Sequence, residues 1–272
     1  MLTRVAVALV GLPVLLYIIY GAPAWAIPTA LSALSAMGVY EALWSTGFLK
    51  CSPRVVAYSI LVSAAVPFWV YAGSHAHYAQ LVLLIYVIAL FAENIASGNT
   101  IGLGRLGGGF LLALFVPYFL SAFVHLRGME NWRFYVIFPF VTAFLSDIFA
   151  LFGGMAFGKH KLAPKLSPKK TVEGAVGGLV GASAGMVVYG LLAGPLFGIS
   201  GVNLPLMALC GAVGSVISQL GDLSFSCIKR EFGIKDYGSI LPGHGGILDR
   251  FDSVIFCAPF MEVLLYFLPV VS

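Results

Sequence analysis

Nine apolar runs of about twenty residues divide this chain, at approximately 4–21, 23–42, 54–72, 77–93, 106–126, 133–155, 172–197, 203–228 and 250–270. An α-helix of that length crosses a hydrocarbon layer of roughly 30 Å. The gaps at Gly21–Pro23 and Gly73–His77 are short enough for tight helical hairpins. Alternation at the period of a strand is absent, which argues against a β-barrel. Only 10% of the 272 residues are charged, against about 25% in soluble domains, too few to cover a soluble surface. The expectation is an all-α, polytopic integral membrane protein with about nine transmembrane helices.

The basic residues orient it. Arg4, Lys50, Arg54, Arg105, Lys159, Lys161, Lys165, Lys169, Lys170, Lys229, Arg230, Lys235 and Arg250 fall on alternate connections, and only Arg127 and Arg133 fall on the others. Basic residues near span ends mark the cytoplasmic side, so the N-terminus is expected there. Ala24-Trp25-Ala26 resembles a signal-peptidase site. The run before it is long for a signal sequence and another span follows at once, so the first span is expected to stay uncleaved. Cys51, Cys210, Cys227 and Cys257 show no metal-like spacing.

Ionisable residues are few in the spans of the first half. Gly102–Gly109 is glycine-rich but has no phosphate-loop spacing, and reads as a flexible cytoplasmic connection. The second half differs. Asp147 lies inside the sixth run, near Thr142 and Ser146. In the eighth, Ser215, Gln219, Asp222, Ser226 and Lys229 share one helical face by spacing. Such a stripe can be hydrogen-bonded glue between helices. A carboxylate running out into Lys229 and Arg230 fits an ion or substrate path better.

Two connections on the same expected face carry most of the remaining charge. The loop 229–249 and the start of the ninth run bring Lys235, Asp236, His244, Asp249, Arg250 and Asp252, with glycines on both sides of His244. Carboxylates beside clustered Lys and Arg point to divalent cations with polyphosphate, and oxygen ligands suit Mg²⁺. The loop 156–171 contains Lys169, Lys170 and Thr171 at the entry to the seventh run. There a helix N-terminus can help bind phosphate, and Pro164 and Pro168 imply an ordered, non-helical loop. The glycines from Gly174 to Gly185 read as close-packing positions.

The order Ser226, Lys229, Arg230, Lys235, Asp236, Pro242, His244, Gly245, Gly246, Asp249, Arg250, Asp252 resembles, without departure, the signature of phosphatidate cytidylyltransferases, or CDP-diacylglycerol synthases. The stretches GKHKLAPKLSPKKTVEG and QLGDLSFS resemble other blocks of that family, while the segment after Ser146-Asp147 departs somewhat. The resemblance covers about residues 146–253. It implies a Mg²⁺-dependent reaction, with room for a second cation, in which CTP and phosphatidic acid give CDP-diacylglycerol and pyrophosphate for phospholipid biosynthesis.

The resemblance also implies roles. Asp222, Asp249, Ser226, Lys229 and Arg230 are the catalytic candidates. Lys169, Lys170, Thr171, Lys235, His244 and Arg250 are the phosphate-binding ones. Asp222 and Asp249 lead as metal ligands, with Asp147, Asp236 and Asp252 as further candidates. Residues 126–272 are then the catalytic region and 1–125 a lipid groove or scaffold. A homodimer in a bacterial-type inner or plasma membrane is expected, its active site facing the cytoplasm and no nucleic acid among its partners. An ion-coupled transporter fits less well, because the polar groups collect toward one face. The DGxxAR pattern of CDP-alcohol phosphotransferases is absent.

Overall fold

The computed structural model describes residues 2–73, 76–238, 245–268 and 270–271. Helix α1 (Leu2–Leu16) runs into a π-helical turn, Tyr17–Gly21. Then come α2 (Ala26–Ser45), α3 (Phe48–Cys51), α4 (Pro53–Tyr71), α5 (Ala76–Ala96), α6 (Leu103–Leu120) and α7 (Ala122–Gly128). After α8 (Trp132–Tyr135) and α9 (Phe138–Phe157), the strands β1 (Lys161–Ala163) and β2 (Ser167–Thr171) form an antiparallel hairpin. The chain continues through α10 (Val172–Leu191), α11 (Ala193–Phe197), α12 (Leu204–Glu231) and α13 (Leu248–Phe267).

Among the described residues, seven helical stretches are long and apolar enough to cross a membrane: Ala26–Ser45, Pro53–Tyr71, Ala79–Ala96, Leu103–Gly128, Trp132–Phe157, Val172–Leu191 and Leu204–Glu231. Large apolar side chains such as Leu84, Ile85, Ile88, Leu151 and Phe152 are exposed along them. That much bare apolar surface belongs against lipid. The protein is an all-α, polytopic integral membrane protein with one small β-hairpin. The tight connection after Gly21 is present, Ala22 being extended before α2 begins. In the other, Ser74 and His75 lie outside the described residues.

Helix boundaries follow local chemistry. Ser52 caps α4, accepting from Val55 N at 3.3 Å, with Pro53 at the first helical position. Asn203 caps α12 in the same way through Leu206 N at 3.1 Å. One expectation is overturned: Gly102–Gly109 is no flexible connection, because α6 starts at Leu103 and carries its glycines inside the helix. Glycine weakens a helix by roughly 1 kcal/mol per residue, but the apolar run beyond it continues the helix, and backbone left unbonded in lipid would cost more.

The chain divides into two compact units, residues 1–124 with 234–250, and residues 125–233 with 251–272. In the first unit, α2 packs on α4 and α6 around Val39, Ala42, Leu43, Val55 and Ala113, all of them buried. Ser59 and Tyr86 share a 2.7 Å hydrogen bond between α4 and α5. The second unit is built on α9, α10 and α12. A Cβ at Gly178 would lie 2.8 Å from Ser146 O, and one at Gly211 would lie 2.5 Å from Ala182 O. Glycine at these two positions lets the helix backbones touch, and at Gly178 this is the close-packing role expected of the α10 glycines.

Candidate active site

The polar stripe on α12 does two different things along its length. At its inner end, Gln219 Nε2 donates to Ser215 Oγ at 3.0 Å, to Ala175 O at 3.2 Å and to Ser146 Oγ at 3.4 Å. Ser146 and Ser215 share a 2.7 Å hydrogen bond and both are fully buried. This end is glue joining α9, α10 and α12. The outer end carries charge. Asp222 forms an ion pair with Lys170 of β2, and Ser226 Oγ donates to Asp222 Oδ1 at 3.4 Å. One turn further, Lys229 is 8% exposed. At 1.5 Å per residue the 28-residue α12 is about 42 Å long, so its last turns outrun a hydrocarbon layer of roughly 30 Å.

Two more carboxylates of the second unit face this end. Ser253 Oγ donates to Asp147 Oδ2 at 3.4 Å, tying α9 to α13. Ser253 N donates to Asp252 Oδ1 at 2.8 Å. Asp147 and Asp252 both feel the charge of Asp222, while Lys170 offsets it at Asp147 and Lys229 offsets it at Asp252. Three acids and two lysines therefore share one electrostatic neighbourhood at the start of α13 and the outer end of α12.

The β-hairpin brings Lys170 to this cluster. The non-helical loop expected at 156–171 is ordered as two strands, with Lys161 opposite Thr171 and Ala163 opposite Ser167. Thr171 caps α10, its Oγ1 accepting from Gly174 N at 3.1 Å. Glu173 clips the hairpin base: it pairs with His160 Nδ1 at 2.5 Å and accepts from Lys159 N at 3.1 Å. Arg230 Nε donates to Leu166 O at 3.2 Å in the hairpin turn. Lys169 is exposed, and its side chain makes no hydrogen bond or ion pair among the described residues.

The first unit holds the other candidates. Asp249 Oδ2 accepts from Tyr237 N at 2.8 Å and from Gly246 N at 3.2 Å. Lys235, Asp236 and Arg250 are exposed. His244, with Pro242 and Gly243, lies outside the described residues. Sequence reasoning missed Glu41 of α2, which is 2% exposed and whose Oε2 accepts from Leu248 N at 3.2 Å. The available signal was a single carboxylate within an apolar run. It also missed Ser253, which carried no signal beyond its neighbour Asp252.

The model of the Cytidylyltransferase family matches residues 2–268. The chain belongs to the cytidylyltransferase family. A phosphatidate cytidylyltransferase from Bacillus subtilis (strain 168) is 38% identical over 189 residues, covering 68% of this chain and 67% of that protein. One from Brucella abortus biovar 1 (strain 9-941) is 43% identical over 135 residues, 49% of this chain and 47% of the relative. One from Rickettsia bellii (strain RML369-C) is 40% identical over 154 residues, 56% of this chain and 65% of the relative. The alignments thus span about half to two thirds of these relatives' lengths.

The acids of this cytidylyltransferase-family chain suit a cation of a particular kind. Among the described residues, no three His, Cys, Asp or Glu side chains converge as a ready metal cage. Mg²⁺ does not need one, because it is held by one or two carboxylates together with substrate phosphates and water. The acid excess around Asp222, with a lysine already seated on that carboxylate, is a donor set of this sort.

Proposed function

We propose that this chain is a membrane-embedded phosphatidate cytidylyltransferase, joining CTP to phosphatidic acid to give CDP-diacylglycerol and pyrophosphate for phospholipid biosynthesis. The observation that carries this reading is the family match across residues 2–268. A phosphate oxygen of the lipid attacks the α-phosphorus of CTP; the bond from that phosphorus to the oxygen bridging to the β-phosphate breaks, and pyrophosphate leaves. Both substrates are anionic, so bringing them together is the main barrier, and charge neutralisation with alignment is the main catalytic work.

The residues divide that work. Lys169, Lys170, Lys229, Arg230, Lys235 and Arg250 hold phosphates, the arginines by paired N–H donors. Thr171, whose Oγ1 accepts from Gly174 N, keeps its own O–H to donate to the same anions. Ser226 supports Asp222, and His244 is a phosphate contact. No general base is required, because the attacking phosphate is already ionised. Asp222 and Asp249 are the leading cation ligands, with Asp147, Asp236 and Asp252 as further ones. The cation is Mg²⁺, with room for a second, and when bound it neutralises charge on the transferring and leaving phosphates. The same reading takes nine spans with a cytoplasmic N-terminus, a homodimer, and an inner or plasma membrane setting with the site facing the cytoplasm.

The test is an assay of detergent-purified protein with phosphatidic acid, labelled CTP and Mg²⁺, with and without EDTA, and with the other nucleoside triphosphates in parallel. A lipid-extractable CDP product that requires CTP and disappears in EDTA is expected. No lipid product with any nucleotide from folded protein overturns the reaction. A product that persists in EDTA removes the cation and leaves the reaction standing.

A further inference from the structure

Glu41 is a buried carboxylate in a helix of membrane-spanning length. Such a group costs about 2.5–3.5 kcal/mol to insert at a helix centre, so its surroundings matter. Its Oε2 accepts from the backbone N–H of Leu248, the first residue of α13 and 207 positions away in sequence. The chain also closes on it at two glycines. A Cβ at Gly238 would lie 2.5 Å from Glu41 Oε1, and one at Gly246 would lie 2.7 Å from Oε2. Neither glycine has a left-handed φ; the Glu41 carboxylate leaves no room for a Cβ at Gly238, and at Gly246 it does so together with Gly238 N and Asp249 Oδ2. One turn earlier on the same face of α2, a Cβ at Gly38 would meet Leu248 Cδ1 at 3.3 Å. Helix α2 thus receives the Leu248 side chain at Gly38 and the Leu248 amide at Glu41.

The neighbouring residue completes the arrangement. Asp249 Oδ2 accepts from Tyr237 N and Gly246 N, so two carboxylates share out the amides of one loop. Glu41 takes Leu248 and packs against Gly238 and Gly246, while Asp249 takes Tyr237 and Gly246. We propose that Glu41 is a positioning residue for cytidylyl transfer, holding the backbone that leads into Asp249 so that this carboxylate is set for its task. The proposal rests on the reading of Asp249 as a functional residue of the reaction above. A displacement of about 1 Å in a reacting constellation can lower turnover by about 10²-fold.

The test uses full-length protein in detergent, as wild type, Glu41→Ala, Glu41→Asp and Glu41→Gln, with amide hydrogen exchange and steady-state CTP kinetics. In Glu41→Ala, exchange of peptides covering 245–249 should rise at least about tenfold and kcat should fall by about 10²-fold. Peptides from α12 and the KM for CTP should stay within about threefold of wild type. Glu41→Gln keeps the shape and one acceptor for Leu248 N and should recover at least about a tenth of the wild-type kcat. Glu41→Asp, one methylene short, should resemble the alanine variant. Unchanged exchange over 245–249, or raised exchange with unchanged kcat, overturns the proposal. So does a rise in KM alone. If the alanine variant loosens α12 as well, the glutamine and aspartate variants decide on the same criteria. If wild type makes no CDP-lipid, the functional reading fails by itself, and the exchange data still decide whether Glu41 anchors the loop.

Discussion

Lys170 sits on Asp222 where β2 meets α12, and that pair sets what single substitutions should do. Asp222→Asn keeps the volume and removes the charge that a cation or Lys170 answers. Turnover should fall on the order of 10³-fold, as when one charge-stabilising group is lost from phosphoryl transfer, while membrane insertion and yield remain. Wild-type CDP-lipid formation by this variant would remove Asp222 from the mechanism. Lys170→Ala forfeits a charge-assisted hydrogen bond to phosphate, worth about 1.5–3 kcal/mol. The kcat/KM for CTP should therefore drop roughly 10- to 150-fold, and an unchanged value would leave the lysine as a topology signal only. Asp222 and Lys229 were legible because helical periodicity is local: i, i+4 and i+7 arithmetic needs no tertiary knowledge. The partner of Glu41 lies 207 residues away, and no periodicity connects them.

At the scale of elements, α12 separates interhelical hydrogen bonding from charge along a single face. Ser215 and Gln219 hydrogen-bond to α9 and α10, while Asp222 and Lys229 carry the charge and Ser226 donates to Asp222. The spacing predicted the shared face and favoured a path along the whole stripe, whereas the inner end is interhelical glue, because periodicity says which residues align and not what they meet. Ser215→Ala tests the division. Interhelical hydrogen bonds of this kind are worth about 0.6 kcal/mol on average in membranes, so thermal stability should fall slightly and kcat should stay within about twofold. A large loss of kcat with unchanged stability would extend the chemistry inward to Ser215. The hairpin was legible only as an ordered, non-helical loop. Its strands depend on the Lys161–Thr171 register and the Glu173 clip to His160, pairings that a lysine- and proline-rich stretch does not announce.

For the molecule as a whole, the distribution of charge predicts the orientation. The two longest helices outside the set of seven apolar stretches explain themselves by content: α1 is 15 residues before its π-helical turn, and α13 carries Asp249, Arg250, Asp252 and Glu262 in 20 residues. Of these, Glu262 is paired with His125 Nδ1 at 2.7 Å. Taking both as spans gives the thirteen-to-two division of basic residues between the faces, whereas dropping a middle span would scatter them. Cys227 gives a direct reading of this topology, since it is exposed on α12 two residues before Lys229. In cells expressing a variant with Cys227 as its sole cysteine, a membrane-impermeant maleimide should label it only after permeabilisation. Ser200→Cys in the connection before α12, made in a cysteine-free background, should label from outside in intact cells. Reversal of the two patterns would invert the orientation and put Lys170, Asp222 and Lys229 at the face away from cytoplasmic CTP, which the reaction cannot accommodate. Labelling of both from one side would mean that α12 does not cross, and the 42 Å or so of helix would need another home.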